Sequence, residues 1–272
     1  EILIGLVGSE MCIRDRLGTE YIEKGISFVN QKEYDNALEC FNKHLEADSK
    51  NSIVLGLKAL ALMDLNRLDE ALIYISKSLD IDSSNYESWA TKGEIFRRLN
   101  KNREALHCFD LSLQINPKQS KTWTKRGFLL INRYGQFIEA INSFDKGLEL
   151  DPKDKNAIYF KAEAYFALKN YKKALGACDD YLEITSANVF DSNVYSLKTK
   201  ILMILNNFEE ALAVIDEGLK ISPDDDSIYA TKAMILLRAH KYDEGIECVN
   251  KALKLNPSNV IALKLRNNVL KG

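Results

Sequence analysis

The chain repeats itself with a period near 34 residues, seven times over. The segments "KEYDNALECFNKHLEADSKN", "NRLDEALIYISKSLDIDSSN", "NKNREALHCFDLSLQINPKQ" and "GQFIEAINSFDKGLELDPKD" share one pattern. "KNYKKALGACDDYLEITSAN", "NNFEEALAVIDEGLKISPDD" and "HKYDEGIECVNKALKLNPSN" continue it. Setting position 1 at Gly18, Ser52, Tyr86, Ser120, Lys155, Ser192 and Asp226 gives steps of 34, 34, 34, 35, 37 and 34. One extra residue lies near Gly135 and three lie in "TSANVFD", 185–191. A period of this length restricts the chain to a small supersecondary unit stacked on copies of itself.

The columns name the unit. Position 4 is large: Tyr21, Leu55, Trp89, Trp123, Ile158, Tyr195, Tyr229. Position 8 is small: Gly25, Ala59, Gly93, Gly127, Ala162, Thr199, Ala233. Position 20 is Ala37, Ala71, Ala105, Ala140, Ala174, Ala211, then Gly245, and position 28 is leucine from Leu45 to Leu253. Positions 4, 8 and 11 form one helical stripe; positions 20, 24, 27 and 28 form another. Each repeat therefore reads as helix A, a short turn and helix B. Small residues at 8 and 20 let the two helices approach closely. Pro117, Pro152, Pro223 and Pro257 all fall at position 32, where proline stops helix B. One pair cannot bury its own apolar face, but stacked pairs share a continuous core.

These residues resemble the tetratricopeptide repeat: a large residue and Gly/Ala in helix A, Ala and Phe in helix B, Pro at the end. The expected fold is an all-α solenoid, a superhelix of seven helix-turn-helix repeats. Their expected bounds are 18–51, 52–85, 86–119, 120–154, 155–191, 192–225 and 226–259. The remainder, 260–272, reads as a capping helix that covers the last apolar face. Around repeats 5 and 6 the pattern loosens. Cys178 stands at position 24, where Phe41, Phe109 and Phe144 sit elsewhere, Tyr181 stands at 27, the insertion follows, and Thr199 replaces Gly/Ala.

Residues 1–16, "EILIGLVGSEMCIRDR", lie outside the register. As a secretory signal the stretch lacks a basic start, and as a phosphate loop it lacks Lys-Ser/Thr after its glycines. "LVGSEMCIRD" can be back-translated as CTC GTG GGC TCG GAG ATG TGT ATA AGA GAC, a string that resembles a transposase-type sequencing adapter. We expect residues 1–16 to be a translated adapter artefact rather than native sequence, with the true start missing.

Charge excludes some function classes. With 37 Lys+Arg against 39 Asp+Glu the net charge is −2, which argues against a chain built to coat nucleic acid or an anionic membrane. Cys40, Cys108 and Cys248 share position 23 and Cys178 occupies 24, so they recur because the repeat recurs. Two repeats apart, roughly 20 Å, they exceed the ~7 Å Cα limit for a disulfide and read as buried thiols of a reducing, cytoplasmic compartment. His44, His107 and His240 sit at positions 27, 22 and 15 and share no face. No phosphate loop, HExxH, GxSxG or kinase set occurs. The acidic runs 179–180 and 224–226 read as helix-terminal charges. We therefore expect no catalytic residue, metal site or cofactor.

Position 7 is basic in every repeat: Lys24, Lys58, Lys92, Arg126, Lys161, Lys198 and Lys232, with Arg266 continuing the column. Its recurrence in all seven favours an architectural role, with long stems covering the core and charged heads at water or a neighbouring carboxylate. The face opposite the core stripe, positions 2, 6, 9 and 13 flanked by 5 and 12, is where a partner would bind. In repeats 1 and 2 it carries Ile22, Ile26, Ile53, Leu57, Leu60 and Met63, which need cover from neighbours or from a ligand. Further along come a basic patch, Arg97, Arg98, Lys121 and Lys125, and an aromatic patch, Phe128, Tyr159, Phe160 and Phe166.

Arginine and aromatic side chains dominate interface energetics, so these eight are the candidate residues of a concave partner-binding groove. The partner would be a protein or peptide, acidic with apolar anchors. Members of the resembled family that grip acidic chaperone tails need Lys and Asn in two preceding repeats; here Gly56, Leu60 and Thr91 stand there, so that co-chaperone role is not expected. The reading is a non-catalytic protein-binding scaffold. The alternative is a regulatory or substrate-docking array of a larger enzyme whose upstream domain is missing.

Overall fold

The computed structural model describes residues 19–185 and 191–269. The adapter-like stretch 1–16, residues 186–190 of the insertion and the end of the expected cap, 270–272, lie outside them. The described residues contain fifteen α-helices and no strand. They form two compact units that divide after Leu129.

The first unit holds α1 (19–30), α2 (Tyr34–Ala47), α3 (Ser52–Asp64), α4 (Leu68–Ile81), α5 (Tyr86–Arg98), α6 (Asn102–Ile115) and α7 (Ser120–Leu129). The second begins with a π-helical turn, Leu130–Tyr134. It continues with α8 (Phe137–Leu150), α9 (Lys155–Ala167), α10 (Tyr171–Glu183), α11 (Ser192–Ile204) and α12 (Phe208–Ile221). It ends with α13 (Asp226–Arg238), α14 (Tyr242–Leu255) and α15 (Val260–Val269). The helices pack with their sequence neighbours, as an α-solenoid requires. The π-helical turn accommodates the extra residue of the fourth repeat, because a single insertion into an α-helix is absorbed as one wide turn.

Local signals set these elements. Asn51, Asn85, Asp154, Asp191, Asp225 and Asn259 each accept a backbone N–H of the following helix A through the side chain, so position 34 is an N-cap column. Between helices A and B one residue turns left-handed in every pair: Lys32, Asn66, Asn100, Gly135, Lys169, Asn206 and His240, with φ between 57° and 63°. Gly135 is the only one of the seven without a Cβ to accommodate.

The small residues at position 8 have a measurable reason. A Cβ on Gly25 would stand 2.4 Å from the Phe41 ring, and one on Gly93 would stand 2.7 Å from Phe109. Phe41 and Phe109 are fully buried, each worth about 2–3 kcal/mol of burial, so glycine is the condition for phenylalanine at position 24. In the second unit Cys178 leaves room for Ala162 instead, and Tyr181 joins the same cluster.

Position 27 differs from the apolar stripe expected of it. His44 is buried with a ring nitrogen 3.1 Å from the Asn51 side chain. Ser78 and Ser112 are buried and donate to the carbonyls of Ser52 and Tyr86, both at 2.7 Å. Tyr181 donates to Asp191 at 2.5 Å. Helix B is thereby tied to the start of a helix A, because a buried polar group needs a partner and the carbonyls and capping side chains at the start of helix A lie within reach. The indoles of Trp89 and Trp123 make a similar tie, donating to the carbonyls of Ser83 and Pro117 at 2.9 and 2.8 Å.

Candidate functional site

The position-7 cations meet a second column. Arg126 pairs with Asp110, Lys161 with Asp145, Lys198 with Asp179 and Lys232 with Asp216, each at 2.6 Å. Each aspartate stands at position 25 of the preceding repeat, so helix B of one repeat is bridged to helix A of the next. Where position 25 is Asn42 or Ser76, the cation turns to an aromatic ring instead. Lys58 lies 3.7 Å from the Tyr74 ring centroid and Lys92 lies 5.5 Å from that of Trp89. Lys24 pairs with Glu20 on its own helix. The aspartate column was present in the sequence and its spacing of about one turn short of the helix-B end was the missed signal.

On the opposite face of helix A, in the first unit, a single buried carboxylate gathers the basic patch. Glu94, in the middle of α5, is only 6% exposed. Arg97 grips it with both arms, Nε at 3.0 Å and Nη2 at 2.7 Å. Arg98 Nε approaches at 3.4 Å and Lys125 Nζ, on α7, at 3.5 Å. Burial favours the neutral acid, but the Arg97 hydrogen bonds and the charges of Lys125, Arg97 and Arg98 outweigh it and hold the carboxyl below its ordinary value. Arg97 also lies over the Phe128 ring, 6.0 Å from its centroid. Arg98 reaches further back, donating to the Met63 carbonyl at 2.7 Å and to Asp64 at 3.1 Å.

The structure thus brings Arg97, Arg98, Lys125 and Phe128 together, with Glu94 at the centre. Lys121, one turn before Lys125, is exposed and makes no ion pair among the described residues. Glu94 went unread as a centre because position 9 forms no column: Ile26, Leu60, Phe128, Glu163 and Lys200 stand there elsewhere. Of the aliphatics at the start of this face, Met63 is buried and Ile22, Leu57 and Leu60 pack partly into the core. Ile53 stays 62% exposed and Ile26 is also exposed. A groove of about 550 Å³ opens here, lined by Ile53, Leu57 and Leu60 of α3 and by Tyr86, Glu87 and Thr91 of α5.

In the second unit Tyr159, Phe160 and Phe166 are half-buried on α9. Tyr159 donates to Glu163 at 2.9 Å and meets Phe160 and Tyr181 edge-on, and burial with Glu163 pushes its hydroxyl pKa up. Phe160 stacks on Phe144 with centroids 6.3 Å apart. Phe166 turns elsewhere, to Tyr171 at 5.9 Å and under the Lys200 ammonium at 4.9 Å. Tyr159 and Phe166 both pack against the core cluster that holds Cys178 and Tyr181, through different ring contacts.

Cys40, Cys108, Cys178 and Cys248 are free thiols. Burial pushes Cys108 up to about 11 and Cys178 up to about 12, away from the reactive thiolate. Among the described residues no three His, Cys, Asp or Glu side chains converge to hold a metal ion, and no helix is long and apolar enough to cross a membrane.

Tetratricopeptide repeat models match residues 22–86, 86–119, 133–201 and 226–259. No curated protein sequence matches the chain. Among solved structures, the C-terminal part of a TPR repeat-containing protein from Cytophaga hutchinsonii is similar at TM-score 0.74 and 17% identity, over 90% of this chain and 98% of that one. Pseudomonas aeruginosa pilF is similar at TM-score 0.68 and 17% identity, over 77% and 94%. YrrB, described as a TPR protein with an unusual peptide-binding site, is similar at TM-score 0.52 and 16% identity, over 85% and 99%. At such identities the likeness carries the fold alone. The matched models cover most of the chain, and with the observed helix pairs they lead to one statement: this chain belongs to the tetratricopeptide repeat family.

Proposed function

We propose that this protein is a non-catalytic interaction scaffold that holds a segment of a partner protein on its helix-A face. The observation that carries the proposal is the groove of about 550 Å³ between α3 and α5, beside an isoleucine left 62% exposed. Exposed apolar surface rimmed by polar groups is what a binding site for a peptide looks like before it is filled. The preset Glu94 cluster supports the same reading, because a rigid floor lowers the ordering cost of binding. Lys121 and Lys125 favour an acidic group on the ligand, and the aliphatic floor favours an apolar anchor. The peptide-binding site named for YrrB adds a precedent in the family and no more.

A photo-crosslinking side chain at Thr91, in the groove, and another at Ile73, exposed on helix B, test the proposal. Adducts from Thr91 that are absent from Ile73 support it. Adducts from Ile73 alone overturn it.

A further inference from the structure

We infer that the turn edge of the second unit pairs with the same edge of a second copy of this chain, about a two-fold axis between the turns of the fifth and sixth repeats. Two leucines point to it. Position 14 carries leucine in the second, third, fifth and sixth repeats. Leu65 and Leu99 pack against the core of the first unit. Leu168 and Leu205 stay 42% and 48% exposed, with Ile204 also exposed beside Leu205. The two turns lie on one edge of the unit. Leu175 of α10 and Phe208 of α12 pack on the same core cluster, and Lys200 of α11 stands 4.9 Å from the ring of Phe166, just before the first turn.

Charge says what covers these leucines. Residues 167–173 carry Lys169, Lys172 and Lys173 and no acid, whereas the equivalent residues 204–210 carry Glu209 and Glu210 and no base. The three lysines are exposed and meet no carboxylate among the described residues. Two of them stand in the first turn of α10, where every other helix B carries an acid. Lysine there opposes the helix dipole, so an acid from outside is favoured at that end. Lys241 of the next turn approaches Glu209 at 3.3 Å but leaves that side chain 84% exposed. A partner of one charge would suit only one of the two turns. A second copy related by a two-fold axis suits both: its 204–210 faces 167–173 of the first, and the reverse. Isologous contacts are self-complementary in this way. Near the axis Leu168 of each copy meets Leu205 of the other, so apolar surface is buried between two charged ends. Two short turns offer less than the ~800 Å² per partner of a standard interface, so the dimer is weak and sensitive to salt.

The test follows the full chain by sedimentation velocity from about 5 µM to about 500 µM. A reversible monomer–dimer equilibrium is expected, weakening about tenfold between about 0.05 M and about 0.5 M salt. Leu205→Glu should remove the dimer across that range. Lys172→Glu/Lys173→Glu and Glu209→Lys/Glu210→Lys should each be monomeric alone, because like charges then meet at both contacts. Mixed together the two variants should pair, because each supplies the charge that the other lacks. That rescue separates a specific contact from loss of folding, which circular dichroism also monitors. A wild-type chain that is monomeric throughout overturns the inference. So does a dimer that survives Leu205→Glu, or a pair of charge variants that stay apart when mixed. None of these substitutions lies in the groove between α3 and α5, so their failure leaves the scaffold proposal standing.

Discussion

Arg98, the last residue of α5, donates its Nη1 to the main-chain carbonyl of Met63 near the end of α3, at 2.7 Å. That carbonyl belongs to the last turn of its helix, where it also accepts the Asn66 N–H at 3.0 Å, so Arg98 is its second donor. The guanidinium serves as a cap supplied by the next repeat, and Asp64 and Glu94 hold it in place. Arg98, which the sequence places among the candidate groove residues, thus also joins two repeats.

Removing that link should cost stability before it costs binding. Hydrogen bonds from charged donors contribute about 1.5–3 kcal/mol, and with a third of the side chain exposed we expect Arg98→Ala to lose about 1–2 kcal/mol. Urea unfolding checks the loss, and faster amide exchange at the end of α3 locates it.

Glu94→Gln should be the more damaging change. It leaves Arg97, Arg98 and Lys125 facing a buried neutral amide, and breaking such a cluster costs about 3 kcal/mol. The same carboxyl carries a pH signature. Its pKa is lower folded than unfolded, so its stabilisation is complete above the ordinary value of 4.5 and is lost as pH falls through the lower folded value. Wild type should therefore lose more stability than Glu94→Gln between about pH 5 and pH 3. Glu70 and Asp226 are also held low, so the variant keeps part of the acid sensitivity. Parallel acid dependence of the two proteins would contradict the assignment.

Ser76 offers a gain. It occupies position 25 of the second repeat, where Asp110, Asp145, Asp179 and Asp216 stand in later ones. Ser76→Asp should give Lys92 the partner that Arg126, Lys161, Lys198 and Lys232 already have, raising stability by about 0.5 kcal/mol. The gain should shrink in high salt, which thermal melts at two ionic strengths would reveal.

Thr199 is a local defect. It is 2% exposed at a position otherwise held by Gly or Ala, and its hydroxyl has no hydrogen-bond partner. Thr199→Val keeps the shape and removes the unsatisfied group, so we expect about 1 kcal/mol of added stability. Calorimetry of the two proteins settles the sign.

The helix pairs were legible because they are local and repeated. Gly25 with Phe41 and Gly93 with Phe109 show why: a steric condition between two positions of one repeat leaves the same trace each time it recurs. The lysine column was equally legible, yet its partners were read only from the folded chain, since Asp110 and Arg126 look unrelated at sixteen residues apart until the repeats stack. The eight candidate residues were chosen by type and by wheel position. Type and position put Arg97, Arg98 and Lys125 on one face, but they say nothing of a carboxylate buried among them.

Sequence by itself determined the period, the all-helical class, the close approach of helices A and B and the family to which they belong. Each follows from which residues recur at fixed spacing, and spacing within a repeat is a property of the chain. Tertiary structure alone decided which charges are spent. Whether Arg98 meets Met63, or Lys125 meets Glu94, depends on the offset between helices more than thirty residues apart. That offset comes from how side chains of successive repeats interlock, and it decides which cations are paired within the scaffold.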